Sequence, residues 1–121
     1  MPKKLLVADD NRQIRMLVKA ALRACDCEVL EAEDGESALE TALAERPDLV
    51  LLDVMMPKLD GFEVLRFMRK RPELADTRVF MLTTATGSAD RKRGDEEGAD
   101  GYIVKPFDPV ELRGIVSEQL A

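Results

Sequence analysis

Four consecutive apolar residues, Leu49-Val50-Leu51-Leu52, run without alternation into Asp53. A short unbroken run of this kind describes a strand buried on both faces, as in the centre of a parallel sheet covered by helices. A charge has no place inside such a strand, so Asp53 falls at its carboxyl end, where open α/β sheets put their ligand crevice. Pro57 stops the strand, and Asp60-Gly61 reads as a turn before the next helix. These residues alone leave two readings of Asp53: a carboxylate that ends a strand or caps a helix, or a functional group.

The same alternation of short apolar runs and helical stripes extends along the whole chain. Leu5-Leu6-Val7-Ala8 is a strand ending in Asp9-Asp10, and Asn11 can cap a helix whose Ile14, Leu17, Val18, Ala21 and Leu22 share one face. Glu28 to Ala32 alternates polar with apolar, the pattern of a half-exposed strand nearer the sheet edge. Asp34-Gly35 turns the chain into a second helix, with Ala38, Leu39, Ala42 and Leu43 facing inward, ended by Pro47. Val64, Leu65 and Met68 mark a third helix, closed by Arg69-Lys70-Arg71 and Pro72. Val79-Phe80-Met81-Leu82 is a fourth strand delivering Thr83-Thr84, and Tyr102-Ile103-Val104 a fifth, ended by Lys105-Pro106-Phe107. Asp108 caps a last helix bearing Leu112, Ile115, Val116 and Leu120. Five strands alternating with five helices predict an α/β fold: one doubly wound parallel sheet with helices on both faces.

The stretch from Ser88 to Glu97 is the weak element. Between Ala85 and Gly101 no apolar residue is larger than Ala, so no stripe exists to bury. Arg91 and Asp95, Lys92 and Glu96, and Arg93 and Glu97 have i,i+4 spacing with the base first, the weaker orientation. Gly94 costs about 1 kcal/mol relative to Ala. The expectation is a helix that is short, frayed or partly unwound in the resting state.

Composition narrows what such a sheet could do. The 121 residues make one domain, 45% hydrophobic and 35% charged, with no internal repeat or linker. No apolar run is long enough to cross a bilayer, and Met1-Pro2-Lys3-Lys4 leads straight into a strand, so a cytoplasmic location is the default and no membrane partner is expected. A net charge of -6 argues against gripping nucleic acid. The chain has no histidine, which removes His-based triads, His-containing zinc sites and a phosphohistidine-carrier role. Cys25 and Cys27 make a poor metal site alone and read as small buried groups at a helix-to-strand junction.

The strand ends carry the candidate chemistry. Asp9 and Asp10 follow the first strand, Asp53 the third, Thr83 the fourth and Lys105 the fifth, so all can converge on one edge of the sheet. Three carboxylates at one mouth repel one another unless a cation is present, and oxygen-only ligands favour Mg²⁺. No G-x-x-x-x-G-K-[ST] or G-x-G-x-x-G loop exists to cradle a nucleotide. A phosphoryl group fits what remains, with Lys105 and Mg²⁺ balancing its charge, the Thr83 hydroxyl donating, and Asp53 as nucleophile.

With Asp9-Asp10, the Leu-Leu-Asp-Val-Met-Met-Pro-x-x-Asp-Gly run around Asp53, Thr83, and Tyr102 followed by Lys105-Pro106-Phe107, the chain resembles the receiver domain of two-component response regulators along essentially its whole length. The resemblance implies a flavodoxin-like sheet of order 2-1-3-4-5. It implies an aspartyl-phosphate on Asp53, taken from the phosphohistidine of a sensor histidine kinase or phosphotransfer protein. Mg²⁺ would be held by Asp10, Asp53 and the Met55 carbonyl, with Asp9 assisting through water. Lys105 would bind the phosphoryl group, Thr83 would move to meet it, and Tyr102 would change rotamer as the readout to an output protein or domain. The Lys105–Pro106 bond is expected to be cis. Met55 and Met56 side chains are expected to pack, and Asp60-Gly61 to serve the turn.

Departures from the family pattern modify these expectations. Thr84 stands where the family usually has Ala or Gly, which narrows access to the phosphoryl site. Neither Met55 nor Ala85, which should flank that site, offers a group to hold a hydrolytic water, so dephosphorylation is expected to be slow. Asp100-Gly101 and Ile115 replace two acidic residues and an Arg of the DNA-binding branch, so a phosphorylation-dependent dimer is permitted rather than assured. Two rivals stand beside this reading. An aspartate-nucleophile phosphatase would carry an Asp-x-Asp signature, but Met55 lies two residues past Asp53. A phosphorylation-independent binding module would have no use for the full acidic set.

Overall fold

The computed structural model describes residues 3–84 and 88–121. Its elements alternate as the patterning predicts: β1 (Lys3–Ala8), α1 (Arg12–Ala21), β2 (Cys27–Ala32), α2 (Gly35–Glu45), β3 (Leu49–Asp53), α3 (Gly61–Lys70), β4 (Arg78–Thr83), α4 (Ser88–Glu97), β5 (Gly101–Val104) and α5 (Pro109–Leu120). The strands form one parallel sheet in the order β2-β1-β3-β4-β5. This is the flavodoxin-like order.

Residue parity divides the core. Leu49 and Leu51 of β3, with Leu5 and Val7 of β1 and Phe80 and Leu82 of β4, meet Val18 of α1 and Leu112 and Val116 of α5. Val50, Leu52, Leu6 and Met81 face the other way, onto Ala38 of α2 and Phe62, Leu65 and Met68 of α3. Every residue of β3 is buried, which is why its sequence is apolar without alternation. Each fully buried Leu or Val contributes about 1.5 to 3 kcal/mol relative to an exposed position. β2 is an edge strand with a half-exposed pattern, as its alternation requires.

The helix starts follow capping chemistry. Asn11 accepts from the Gln13 amide, and Asp34 and Asp60 open α2 and α3 with capping boxes closed by Ser37 and Glu63. Asp60 is thus a helix cap, while Gly61 is required for close approach: a Cβ there would collide with the Asp53 carbonyl oxygen. The end of β3 and the start of α3 can therefore touch.

Three expectations need correction. Leu17 is 39% exposed instead of inward, because α1 turns Val18, Ala21 and Leu22 onto the sheet. Cys25 and Cys27 are only half-buried, at the open end of the edge strand β2. Ser88 to Glu97 is a full ten-residue helix, where the sequence led us to expect a short or frayed one. The i,i+4 pairs are not what holds it. Its charges turn to other elements instead: Glu97 bonds Arg66 at 3.2 Å, Arg93 lies 3.7 Å from Asp60 and 4.5 Å from the centre of the Phe62 ring, and Asp95 meets Tyr102.

Candidate functional site

The carboxyl ends of β1, β3, β4 and β5 open into a cavity of about 470 Å³, lined by Asp9, Asp10, Asp53, Met55, Thr83, Thr84 and Lys105 among others. Parallel strands put all these ends on one edge, so residues far apart in sequence meet there. Asp9 is fully buried and Asp53 is 6% exposed, whereas Asp10 faces solvent. One carboxylate oxygen from each of the three lies within 4.8 Å of the others.

Lys105 offsets that concentration of charge. Its Nζ donates to Asp9 Oδ2 at 2.6 Å and to Asp53 Oδ1 at 3.1 Å. Burial would lower the Lys105 pKa, but these two bonds outweigh it and raise the value, so the group stays an ammonium. Asp53 is pushed up to about 6, first by burial and then by the charge of Asp9, with Lys105 and the Met55 amide pulling the other way. At neutral pH most of Asp53 is therefore an ionised carboxylate with a raised proton affinity.

The backbone fixes these positions. The Lys105 amide donates to the Thr83 carbonyl at 2.7 Å, tying the ends of β4 and β5, and the Lys105–Pro106 peptide bond is cis. Asp9 Oδ1 accepts from the Asn11 amide at 2.9 Å, which orients the carboxylate as the chain enters α1. Thr83, 3% exposed, ends β4 at the cavity wall, and the exposed Thr84 lies beside it. Ala85, the other expected flank, lies outside the described residues.

Tyr102 is not in this cavity. It is the second residue of β5, paired with Met81, and its ring packs toward the α2–α3 side. Its hydroxyl donates to the Arg91 carbonyl at 2.6 Å, with Asp95 Oδ1 at 2.8 Å as a second acceptor for the same proton. Burial, then Asp95, pushes the phenol up to about 12. Met55 corrects another expectation: its side chain is 75% exposed, and only Met56 packs against the core.

Sequence reasoning missed Arg15. Its Nη1 donates to the Asp9 carbonyl at 2.7 Å, and its Nε bonds Glu31 at 3.1 Å, where Lys19 joins. Arg15 and Lys19 are four apart on one helix face, a visible signal, but their partner Glu31 becomes assignable only once β2 is placed beside β1.

A family model for the response regulator receiver domain matches residues 5–117. The chain belongs to that family. A probable transcriptional regulator ycf27 from Cyanophora paradoxa is 47% identical over 118 residues, covering 98% of this chain and 48% of that relative. The receiver thus spans about half the length of the curated relatives it matches. Among solved structures, the chemotaxis response regulator CheY4 of Vibrio cholerae is 36% identical with a TM-score of 0.93, covering 99% of this chain and 100% of that one. The response regulator Rcp1, in its Mn(2+)-bound form, is 30% identical with a TM-score of 0.89, covering 98% of this receiver and 95% of that chain. This receiver is a signalling domain, and its acidic cluster could hold a metal ion. No helix among the described residues is long and apolar enough to cross a membrane.

Proposed function

We propose that residues 1–121 act as one phosphoacceptor unit in which Asp53 takes a phosphoryl group from the phosphohistidine of a sensor kinase or phosphotransfer protein, in the cytoplasm. The observation that carries this is Lys105 Nζ bridging Asp9 and Asp53 at the mouth of the sheet, with Asp10 beside them. A carboxylate oxygen of Asp53 attacks phosphorus, the P–N bond of the donor breaks, and its electron pair returns to the imidazole, which takes a proton from solvent. Lys105, freed from part of its bond to Asp53 as that charge moves outward, pairs with a phosphoryl oxygen. Thr83 supplies a hydroxyl at the same wall.

The donor set fits Mg²⁺: carboxylates and carbonyls only, with one exposed ligand, Asp10, through which a hydrated ion can enter. Asp10, Asp53 and the Met55 carbonyl would hold it, with Asp9 assisting through water. When bound, the ion supplies positive charge to the phosphoryl oxygens. The domain so assists its own phosphorylation and dephosphorylation without turning over a free substrate. The face around Tyr102 passes the state to an output protein, an attached domain or a phosphorylation-dependent dimer.

The test is incubation with acetyl phosphate and Mg²⁺ followed by peptide mass spectrometry. One phosphoryl group should appear on the peptide containing Asp53 and none on Asp53→Asn. Labelling at another residue, or none at all, would refute the assignment.

A further inference from the structure

The amino ends of the strands, opposite the phosphoacceptor cavity, carry a second group of reactive side chains. Cys25 and Cys27, both free and half-buried, line a cavity of about 320 Å³ together with Lys3, Asp26, Arg113 and Ser117. Cys25 Sγ lies 3.9 Å from the Ser117 hydroxyl of α5. The Cys27 amide donates to the Cys25 carbonyl at 2.9 Å, closing a three-residue turn centred on Asp26.

That turn decides the reach between the thiols. Residues two apart in an extended strand are about 6.6 Å apart, near the upper end of the roughly 4.4–6.8 Å Cα separation that a disulfide spans. The turn shortens that separation, because its hydrogen bond pulls the two flanking residues together. Both cysteines line the same cavity and pack against the buried cluster that contains Val18 and Val116. Two neighbouring thiols therefore open into one cavity whose cations, Lys3 and Arg113, outnumber its single carboxylate, Asp26.

We propose that Cys25 and Cys27 form a thiol–disulfide exchange site that interconverts a dithiol and an intrachain disulfide by reaction with an anionic small disulfide of the glutathione class. Cys25 attacks first, since burial pushes the Cys27 thiol up and the neighbouring Cys25 and Asp26 add to it. The Cys25 thiolate attacks one sulfur of glutathione disulfide, forming a mixed disulfide and releasing one glutathione thiolate. Cys27, losing its proton, attacks the Cys25 sulfur and releases the second glutathione. Two thiols are oxidised, one disulfide is reduced, and the two protons pass to the two glutathiones. Lys3 and Arg113 complement the carboxylates of the incoming reagent.

The experiment uses the reduced full chain at low concentration, treated with glutathione disulfide, alkylated, and weighed intact. The wild type should lose about 2 Da, the two thiol hydrogens, and take up no alkylating reagent. A cross-linked peptide should contain both cysteines. Cys27→Ser should keep one glutathione, having no second thiol to displace it, and Cys25→Ser should take up glutathione more slowly, having lost the thiol that attacks first. A glutathione adduct persisting on the wild type, a disulfide between chains, or two alkylated thiols would each overturn the proposal. Asp53→Asn should oxidise as the wild type does, so this result stands apart from the phosphoacceptor reading.

Discussion

Lys105 bonds two carboxylates at once, and the third, Asp10, is left to solvent. That arrangement leaves Asp53 with more negative charge and less water around it than an ordinary aspartate, and the stability of the fold should register it. The folded-state pKa of Asp53 is raised from 3.8 to about 6, so the folded chain binds the proton more tightly than the unfolded chain. This contribution is fully present below 3.8 and is lost as pH rises through about 6. Asp53→Asn removes the titration. In metal-free buffer its stability advantage over the wild type should grow between these two pH values and then level off, on the order of 1–2 kcal/mol after allowance for solvent at the mouth. Urea unfolding across that range measures it, and a pH-independent difference would show that Asp53 is not strained by its surroundings. The same scale shows what sequence alone conveys: Asp53 is marked by the apolar run that delivers it, but nothing in that run tells that Asp9 will be its nearest repulsive neighbour.

At the scale of elements, α4 is where local sequence and final structure part. Its composition offers no apolar stripe, yet it is a complete helix, because Tyr102, two ion pairs to α3 and its cap, and the Arg93 guanidinium over the Phe62 ring take the place of hydrophobic packing. Gly94, unfavourable by propensity, is the only one of Arg91 to Glu97 that is buried, and a Cβ there would press on the Tyr102 hydroxyl and lie 2.8 Å from its ring. The glycine makes the seat in which the ring rests. Gly94→Ala should therefore be destabilising by about 1 kcal/mol or more, despite a helix-propensity gain of about that size. It should also dislodge the phenol from Arg91 and Asp95. Tyr102 is the single tyrosine and there is no tryptophan, so intrinsic fluorescence reads this side chain alone. Acrylamide quenching should increase in Gly94→Ala, and an unchanged quenching constant would mean the seat does not hold the ring. The regular elements behaved differently: β1, β3 and β4 and the helices α1, α2, α3 and α5 follow from apolar spacing and caps, since there local preference and burial agree.

For the whole molecule, one sheet separates two apolar layers and gathers three carboxylates at its carboxyl edge, so a metal ion bound there would stabilise the whole fold. Mg²⁺ at about 100 times its dissociation constant should add about 2.7 kcal/mol to the wild type. Asp10→Asn should fold with equal or higher stability in the absence of metal, because one of three crowded charges is gone, and should show none of the Mg²⁺-dependent rise in melting temperature. A variant that still responds to Mg²⁺ would remove Asp10 from the ligand set. The sequence by itself determined the class of fold, the strand ends and the five residues that meet there, because periodicity and buried runs are local properties and parallel α/β order follows from their alternation. The positions of Lys105 between Asp9 and Asp53, of Arg15 on the Asp9 carbonyl, of Gly61 against Asp53 and of α4 on Tyr102 were decided only by the tertiary structure. Each depends on the distance between residues brought together from different elements, and a linear pattern of polar and apolar positions carries no such distance.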